Sequence, residues 1–440
     1  MQSREIKLIL ISFLGLIMLG SFLLLLPVSH NGTLGVIDAL FTATSAVCVT
    51  GLIVKDTAID FTLFGQSIIL VLIQIGGLGY MTAVTFLTVM RKQKLAHRDR
   101  QLLKESLNYP GMKGLVRFLK IVFASIVIIE IIGTIVLTLR FWVDMPFLKA
   151  LWFGTFHSIS AFNNAGFSIF SVNLMSYRDD ITINIIIPLL IILGGLGYMV
   201  IIEIFNFYKH KTNRISTHSK IVLYMSALLI LLSMLILLSL EWNHAFKDMG
   251  IGSKLLASWF AAVNYRTAGF NTIDLSTLTD ANLFFGTFFM MTGGAPGGTA
   301  GGIKVTAVAL ALIGTWYTLR GESNAHIFRR SISSYQINKS YAIIFLASIY
   351  VVVSTIILSE VEGLPFLRIL FEATSAFGTV GVSTGNGGVL SYSALFSDAG
   401  KINIMILMLM GRVGVFAFTV VIVGKAIESR IKYSEGRIIL

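Results

Sequence analysis

Four short stretches of this chain repeat one pattern, and their spacing limits the possible folds more than any other feature. The stretches are 46–52, 161–167, 264–270 and 376–382, and each carries a glycine in the same register. These glycines, Gly51, Gly166, Gly269 and Gly381, follow one another at intervals of 103 to 115 residues. Each stretch follows a short helix-like segment and precedes a long apolar run. The pattern predicts four copies of one structural unit of about 110 residues.

The apolar runs between these stretches indicate a membrane protein. The chain is 55% hydrophobic and 13% charged, whereas a soluble domain carries about 25% charged residues. Several runs exceed the ~18–20 residues that cross a bilayer as a helix, and the alternating pattern of an outer-membrane barrel is absent. Because backbone groups in lipid must be hydrogen-bonded internally, we predict an all-α polytopic membrane protein.

Each unit is predicted to contain a spanning helix, a short re-entrant helix that ends at the glycine, and a second spanning helix. The first helices are expected at 6–26, 120–141, 221–240 and 341–358, and the short ones at 34–45, 147–160, 252–263 and 365–375. The second helices are expected at 65–90, 183–207 and 402–427, with a broken run at 283–319. Units one to four are 1–94, 95–211, 212–322 and 323–440, the last including a cytoplasmic C-terminal tail.

This plan gives eight spanning helices and four re-entrant ones around one central pore. Each unit crosses the membrane twice, so the four are parallel rather than inverted repeats. A second repeat supports it, because the sequence of 76–81 recurs at 194–199 and is matched in unit four by 411–414.

The distribution of charge predicts the orientation. The net charge is +12, but basic residues cluster in 91–120, 209–220, 320–339 and the tail after 425, while the other loops hold most aspartates. This positive-inside pattern places both termini in the cytoplasm and argues against nucleic-acid binding. Cys48 is the only cysteine, so no intrachain disulfide forms. The apolar run from residue 8 is expected to stay as the first helix rather than be cleaved.

The stretches 47–51, 162–166, 265–269 and 377–381, here called glycine loops 1 to 4, are the candidate ion site. Rings of backbone carbonyls replace the hydration shell of a cation, and glycine permits the backbone angles this needs. The negative C-terminal ends of the short helices would favour a cation there. The alternative is four unrelated tight turns. The candidate residues are Val47, Cys48, Val49, Thr50, Gly51, Phe162, Asn163, Asn164, Ala165, Gly166, Tyr265, Arg266, Thr267, Ala268, Gly269, Phe377, Gly378, Thr379, Val380 and Gly381.

Residues 292–304, here called the glycine tract, occur in unit three alone. A helix does not persist through so many glycines and a proline, and non-helical backbone at membrane depth is tolerated only inside protein or beside water. A packing interface of small residues is the alternative, whereas a phosphate-binding loop lacks its Gly-Lys-Ser/Thr and its strand. The candidate functional residues of this tract and of the last helix are Gly293, Gly294, Ala295, Pro296, Gly297, Gly298, Thr299, Ala300, Gly301, Gly302, Lys304 and Arg412.

Lys304 and Arg412 are candidates because a charge inside an apolar run is costly, with a snorkelling anchor as the alternative role. Glu130 is expected to pair with a polar group of a neighbouring helix. Arg266 is expected to brace its loop from behind, and His157 and Glu372 to cap or pack. No catalytic motif occurs, so the chain is not expected to be an enzyme.

The four helix–loop–helix units resemble the superfamily of K⁺ transporters that includes bacterial Trk and Ktr membrane subunits, fungal Trk and plant HKT proteins. The resemblance covers nearly the whole chain and is closest to the Ktr-type membrane subunit (KtrB). It implies that each glycine loop supplies one quarter of a K⁺ filter that uses backbone carbonyls only. It also implies that the glycine tract gates the pore and that Arg412 is an electrostatic barrier. Relatives with serine at the first filter glycine favour Na⁺, so Gly51 implies K⁺ preference. Asn163 and Asn164 depart from the usual apolar lining, which leaves their effect open.

The resemblance further implies a homodimer in the bacterial inner (plasma) membrane, docked on a cytoplasmic RCK-type (KtrA-like) ring that binds ATP or ADP. The basic loops 91–100 and 320–330 are candidate docking surfaces. The chain itself would need no cofactor, with K⁺ as the transported ion and Na⁺ as a candidate activator. Three alternatives are a Na⁺-selective or Na⁺-coupled member, an organic-solute carrier and a membrane enzyme. The second predicts inverted repeats and a roomy midplane site, and the third needs paired catalytic groups at one depth.

Overall fold

The computed structural model of the chain describes residues 3–79, 115–209, 214–322, 324–386 and 389–423. The predicted basic loop 91–100, the C-terminal tail after 425 and the distal part of the second helix of unit one lie outside these residues. Unit one contains α1 (Ser3–Leu24), α2 (Val36–Val47) and α3 (Leu63–Leu78), and unit two contains α4 (Leu115–Phe141), α5 (Phe147–Phe162), α6 (Ile181–Gly195) and α7 (Tyr198–Tyr208).

Units three and four follow the same order of elements. Unit three contains α8 (Thr217–Glu241), α9 (Ile251–Asn264), α10 (Asp280–Met291) and α11 (Val305–Leu319). A short hairpin of β1 (His326–Ile327) and β2 (Arg330–Ser331) comes next, followed by α12 (Ser334–Glu362), α13 (Phe366–Gly378), α14 (Asp398–Val413) and α15 (Val415–Val423). The short helices α2, α5, α9 and α13 begin and end within three residues of their predicted bounds.

The first helix of each unit is the strongest membrane-spanning candidate. In the described residues four single helices are long and apolar enough to cross a bilayer, over Lys7–Leu24, Val116–Phe141, Thr217–Glu241 and Ser334–Glu362. Their apolar side chains are largely exposed, as in α8, where Leu228 and Leu231 are more than half exposed. In water that surface would be unfavourable, whereas lipid solvates it. The chain is a multi-pass membrane protein.

The second helices are not continuous, which corrects the predictions for 183–207 and 402–427. The chain bends by 103° between α6 and α7, and the break falls at Gly197, whose φ is +84°. The break between α14 and α15 falls at Gly414 with φ +97°, and α3 ends at Gly79 with φ +78°. A left-handed glycine ends a helix, and an apolar run does not reveal it. The count of eight spanning helices therefore stays a prediction.

The helices pack in a closed circle. The helix after each glycine loop contacts the short helix of the next unit: α3 packs on α5, α6 on α9, α10 on α13, and α14 returns to α2. Four fully buried phenylalanines hold the short helices at matching positions, one in each: Phe41, Phe156, Phe260 and Phe371. The C-terminal ends of these helices carry the glycine loops to one place.

Candidate functional site

The four glycine loops meet in a ring, and glycine is required there because the backbones approach so closely. A Cβ atom at each glycine would meet the next loop: 2.4 Å from Ala165 O for Gly51, 2.3 Å from Gly269 Cα for Gly166, 3.0 Å from Gly381 Cα for Gly269, and 2.0 Å from Thr50 O for Gly381. These contacts run once around the circle and return to the first loop. The structure thus brings together the four glycines that the sequence singled out.

Each loop holds a non-glycine residue in the left-handed region two positions before its glycine. Their φ values are +51° at Val49, +59° at Asn164, +82° at Thr267 and +49° at Thr379. Such angles are uncommon outside glycine, and for a β-branched valine they are an outlier. Strained backbone of this kind concentrates at functional sites. Four matched occurrences indicate that the loops share one conformation imposed by the ring.

Glycine loop 3 departs from the pattern at its glycine. Gly51, Gly166 and Gly381 have positive φ, of +94°, +69° and +87°, but Gly269 does not. The expected left-handed angle at Gly269 is therefore wrong. The reason is a turn one residue shorter, because the Ala268 amide bonds to the carbonyl four residues back at Asn264, whereas the other three loops bond five residues back.

The last turn of each short helix fastens its loop. The Ser45 hydroxyl accepts from the Gly51 amide over 3.0 Å, and Ser375 accepts from Gly381 over 3.1 Å. In loop 3 the side-chain oxygen of Asn264 accepts from the Phe270 amide over 3.0 Å. Buried polar groups in lipid need such partners, so these bonds fix where each loop leaves its helix.

The first glycine of each repeated stretch in the second helices of units one, two and four lies against a glycine loop. A Cβ atom would be 2.0 Å from Val47 O at Gly76, 1.8 Å from Phe162 O at Gly194 and 1.8 Å from Phe377 O at Gly411. Each of these carbonyls belongs to the first residue of a glycine loop. The repeat recognised in the sequence is thus explained by close approach, and only glycine leaves room for it.

The glycine tract is hydrogen-bonded to the loops. The Thr299 hydroxyl donates to the Asn164 side-chain oxygen over 2.8 Å, and the Asn164 amide nitrogen donates to the Thr267 hydroxyl over 3.0 Å. The Gly301 amide donates to the Thr379 hydroxyl over 3.1 Å. Three of the four left-handed residues therefore hold the tract, directly or through one another.

The two basic candidates bond to backbone carbonyls. Arg412 donates to the carbonyls of Thr299 and Gly76, and to that of Gly77 over 2.8 Å. Lys304 donates to Ala300 O within the tract over 2.6 Å. Arg412 thereby ties the tract to the end of α3, a link between units one, three and four that sequence spacing did not reveal.

Asn163 turns away from the tract into a buried polar cluster. Its amide nitrogen donates to Gln74 Oε1 over 2.8 Å and to Glu130 Oε1 over 3.2 Å, and Gln74 donates to Glu130 Oε2 over 3.3 Å. The prediction that Glu130 pairs with a neighbouring helix is confirmed. Arg266 behaves as expected too, since it donates to Ser226 O over 3.1 Å and to Gly293 O over 3.4 Å.

A cavity of about 290 Å³, here called the ring cavity, opens on the side of the ring opposite the tract. The four ring glycines form its floor, and polar residues that follow them form much of its wall, among them Ser168, Asn173, Asn271, Ser383 and Ser391. Sequence reasoning missed these residues. Counting from the ring glycines would have found three of them, because Ser168, Asn271 and Ser383 each lie two positions beyond one.

Charges at this end of unit two neutralise one another. Arg140 pairs with Asp180 and with Asp144, the latter over 2.8 Å. The Tyr177 hydroxyl donates to Asp144 over 3.1 Å. Burial raises the pKa of Tyr177 to about 12, and its bond to Asp144 adds to this. In the described residues no group of three or more His, Cys, Asp or Glu side chains is arranged to hold a metal ion.

Comparison with known proteins identifies the family. Residues 4–429 match TrkH, described as a cation transport protein. The chain belongs to the TrkH family. It is 38% identical over 430 residues to the Ktr system potassium uptake protein B of Bacillus subtilis, covering 97% of this chain and 95% of that protein. It is 35% identical to the protein of the same name from Vibrio alginolyticus, over 100% of this chain and 95% of that one.

Two further matches extend the comparison. The chain is 35% identical to the potassium/sodium uptake protein NtpJ of Enterococcus hirae, over 99% of this chain and 97% of that one. The crystal structure of the potassium transporter TrkH from Vibrio parahaemolyticus superposes with a TM-score of 0.75 at 18% identity, covering 96% of this chain and 85% of that one. TrkH family members are ion transporters rather than enzymes, so the expectation of no enzymatic activity is confirmed.

Proposed function

We propose that this TrkH family chain is the ion-conducting membrane subunit of a Ktr-type K⁺ uptake system. The carrying observation is the closed ring of Gly51, Gly166, Gly269 and Gly381. In this proposal the four units are parallel repeats around one pore, and the glycine loops form its selectivity filter. The names of the Bacillus and Vibrio relatives, which describe potassium uptake, support the choice of ion.

Dehydrated K⁺ is stabilised by backbone carbonyls of the glycine loops in place of water. The four short helices end at these loops, so their negative C-terminal dipoles add a favourable potential for a cation. The membrane potential contributes ~2.3 kcal/mol per charge for each 100 mV. Uptake down the electrochemical gradient therefore needs no ATP at this chain.

The glycine tract is the proposed gate. It is hydrogen-bonded to Asn164 and Thr379 on the side of the ring opposite the ring cavity, and Arg412 fastens it to α3. Since both termini are proposed to be cytoplasmic, the tract faces the cytoplasm and the ring cavity faces outward. A cation that leaves the ring meets the glycine tract, and movement of the tract opens the path.

The proposed assembly is a homodimer in the bacterial inner membrane, docked on a cytoplasmic RCK-type ring that binds ATP or ADP. A basic hairpin supports one docking surface: Arg329 and Arg330 are exposed around β1 and β2. The relatives' name, a Ktr system, supports the existence of a partner subunit. Nucleotide bound to the RCK-type ring would act on the glycine tract through the helices that adjoin the tract.

A second candidate is a chain that also carries Na⁺ or depends on it. The Enterococcus relative is named for potassium and sodium uptake, and its identity to this chain equals that of the Vibrio protein. Gly51 favours K⁺ as the main ion, because relatives with serine at this position favour Na⁺.

Uptake in a K⁺-transport-deficient bacterium tests the proposal. Cells that express the wild-type chain with its partner should grow at low K⁺ and accumulate it. Gly381→Ala should abolish uptake, because its Cβ would lie 2.0 Å from Thr50 O, whereas Gly15→Ala should not, since no atom lies within 4 Å of its Cβ. If the transport-deficient cells that express the wild-type chain with its partner fail to accumulate K⁺, the proposal is refuted.

A further inference from the structure

The walls of the ring cavity are held by two hydrogen-bonded pairs that occupy matching positions in units two and four. In unit four, Ser383 donates to Glu372 Oε2 over 2.6 Å. In unit two, Ser168 contacts His157 Nε2 over 2.9 Å. Each serine lies two residues beyond its ring glycine, and each partner lies nine residues before it on the short helix. We call these pairs the serine clamps.

The two clamps have the same internal geometry. The Ser168 hydroxyl accepts from the Phe170 amide over 3.0 Å, and the Ser383 hydroxyl accepts from the Gly385 amide over 3.1 Å, two residues on in both cases. His157 Nδ1 lies 2.8 Å from the Phe153 carbonyl, which can only accept. The proton of a neutral ring is therefore on Nδ1, and Nε2 accepts from Ser168.

The clamp partners are fully buried, and both are polar groups that cost free energy to bury unless they are hydrogen-bonded. Glu372 satisfies this requirement twice, because its Oε1 also accepts from the Ser393 amide over 2.9 Å and from the Ser393 hydroxyl. A buried carboxylate or imidazole is not needed to pack a helix. The free energy that burial of this group costs is offset by the hydrogen bonds through which it holds the loop in place.

In units one and three, the residues that the structure describes form no such clamp. The positions matching the serines are Ile53 and Asn271. The matching helix positions are Thr42, whose hydroxyl bonds within α2, and Ala261, which lies eight rather than nine residues before its ring glycine because the turn of loop 3 is one residue shorter. Instead, the segment that follows the ring glycine in each of these units is hydrogen-bonded to a neighbouring unit. The Ile53 amide donates to the Ser391 hydroxyl of unit four over 2.9 Å, and the Ser391 amide donates back to Ile53 O over 3.0 Å.

The same arrangement joins unit three to unit two. Asn173 of unit two donates to the carbonyl of ring glycine Gly269 over 3.3 Å, and the Leu174 amide donates to Asn271 O over 3.1 Å. The segment that carries Ser391 is bonded directly to a clamp serine, and the segment that carries Asn173 is linked to the other clamp through Phe170, whose amide donates to Ser168. The Tyr392 amide donates to Ser383 over 2.8 Å, and the Asn173 amide donates to Phe170 O over 3.0 Å.

We propose that Glu372 and His157 are positioning residues for cation selection. Through Ser383 and Ser168 they fix the glycine loops of units four and two at the ring cavity, and through Ser391 and Asn173 they fix the loops of units one and three. Units two and four lie opposite each other in the ring, so each clamp controls one half of it. This inference rests on the proposed K⁺ transport through the ring.

The test measures K⁺ uptake, and its inhibition by Na⁺, for the full-length chain with its partner in the transport-deficient bacterium. Ser383→Ala and Ser168→Ala should each raise the KM for K⁺ and weaken K⁺ preference over Na⁺ by about tenfold, as expected for one charge-assisted or buried hydrogen bond. Maximal uptake per folded molecule should change by less than about twofold. Glu372→Gln keeps an acceptor for Ser383. It should therefore retain most of the K⁺ preference over Na⁺ that Glu372→Leu loses.

Thr42→Val is the matched control, because its hydroxyl bonds only within its own helix, and it should behave like the wild type. Combinations test the division into halves. Ser383→Ala with Ser391→Ala should give less than the sum of their effects, whereas Ser383→Ala with Ser168→Ala should be additive.

Both alanine variants retaining the wild-type KM and K⁺/Na⁺ ratio, with folded chain confirmed by size-exclusion chromatography, would overturn the clamp proposal. If one alanine variant does not fold, the other serine and the comparison of Glu372→Gln with Glu372→Leu decide it. A wild-type chain that takes up no K⁺ would instead overturn the proposed function, so the two failures are distinguishable.

Discussion

The Thr299 hydroxyl donates a hydrogen bond to the side-chain oxygen of Asn164 over 2.8 Å. Both side chains are buried, and their residues are 135 positions apart in sequence. This bond joins the glycine tract to glycine loop 2. It gives Asn164 a role that its departure from an apolar loop lining left open: its oxygen holds the tract and its nitrogen holds Thr267 of the next loop.

Thr299→Val should increase K⁺ flux in the absence of the partner ring. The substitution keeps the shape of the side chain and removes the hydroxyl, so the tract loses a bond to glycine loop 2 worth about 0.5–1.5 kcal/mol. Flux into proteoliposomes should rise by up to about tenfold. Thr287→Val, whose hydroxyl bonds only within α10, is the control and should conduct like the wild type. Equal flux for both variants would contradict the link between tract and loop.

Arg412→Lys should conduct more than the wild type, and Arg412→Gln more still. Arg412 donates to three carbonyls, of Thr299, Gly76 and Gly77. Lysine keeps the charge but lacks the planar fork that reaches several acceptors. Comparing the lysine and glutamine variants therefore distinguishes a hydrogen-bonding role of Arg412 from an electrostatic barrier. The measurement is K⁺ flux into proteoliposomes without the partner subunit. A lysine variant as restrictive as arginine would show that charge alone is responsible.

Gly194→Ala should abolish transport and reduce the amount of folded chain. The added Cβ would lie 1.8 Å from Phe162 O, a backbone atom of glycine loop 2 that cannot move aside. Overpacking of this kind costs about 1–3 kcal/mol or more. Gly252→Ala is the control, since its Cβ would meet nothing within 4 Å. Extraction yield and uptake measure both; an active, abundant Gly194→Ala chain would refute the close packing.

Glu130→Leu should destabilise the chain more than Glu130→Gln. Leucine leaves an amide hydrogen of Gln74 without its acceptor, at a cost of about 1–3 kcal/mol in a buried site, and removes one of the three acceptors around the Asn163 amide nitrogen. Glutamine keeps one acceptor oxygen and should lose less. Thermal unfolding in detergent gives the order of stability. If the leucine variant unfolds at or above the wild-type temperature, this cluster does not stabilise glycine loop 2.

The glycine loops show what the sequence could predict. Gly51, Gly166, Gly269 and Gly381 were recognisable because their register repeats, and the short helices were located because they end at that register. The left-handed angles at Val49 and Thr379 were not predictable, since neither residue type signals them. They arise from the packing of four loops against one another.

The remaining differences have the same origin in tertiary contact. The apolar runs containing Gly197 and Gly414 predicted continuous helices, because hydropathy does not reveal a backbone angle. His157 and Glu372 were expected to cap or pack, since their serine partners lie eleven residues away across a turn. Arg412 was identified as unusual, but its three carbonyl partners come from two other units and have no local signature.

The most direct test of K⁺ selection by the ring is the ratio of K⁺ to Na⁺ flux through the purified chain in proteoliposomes, compared between wild type and Gly51→Ser. A serine Cβ would lie 2.4 Å from Ala165 O, at a backbone φ of +94°, so the ring must deform to accept it. We predict that the wild type passes K⁺ well in excess of Na⁺ and that Gly51→Ser lowers this ratio by about tenfold or more. A wild-type chain that passes both ions equally, or an unchanged ratio in Gly51→Ser, would contradict the assignment of the glycine ring as the filter.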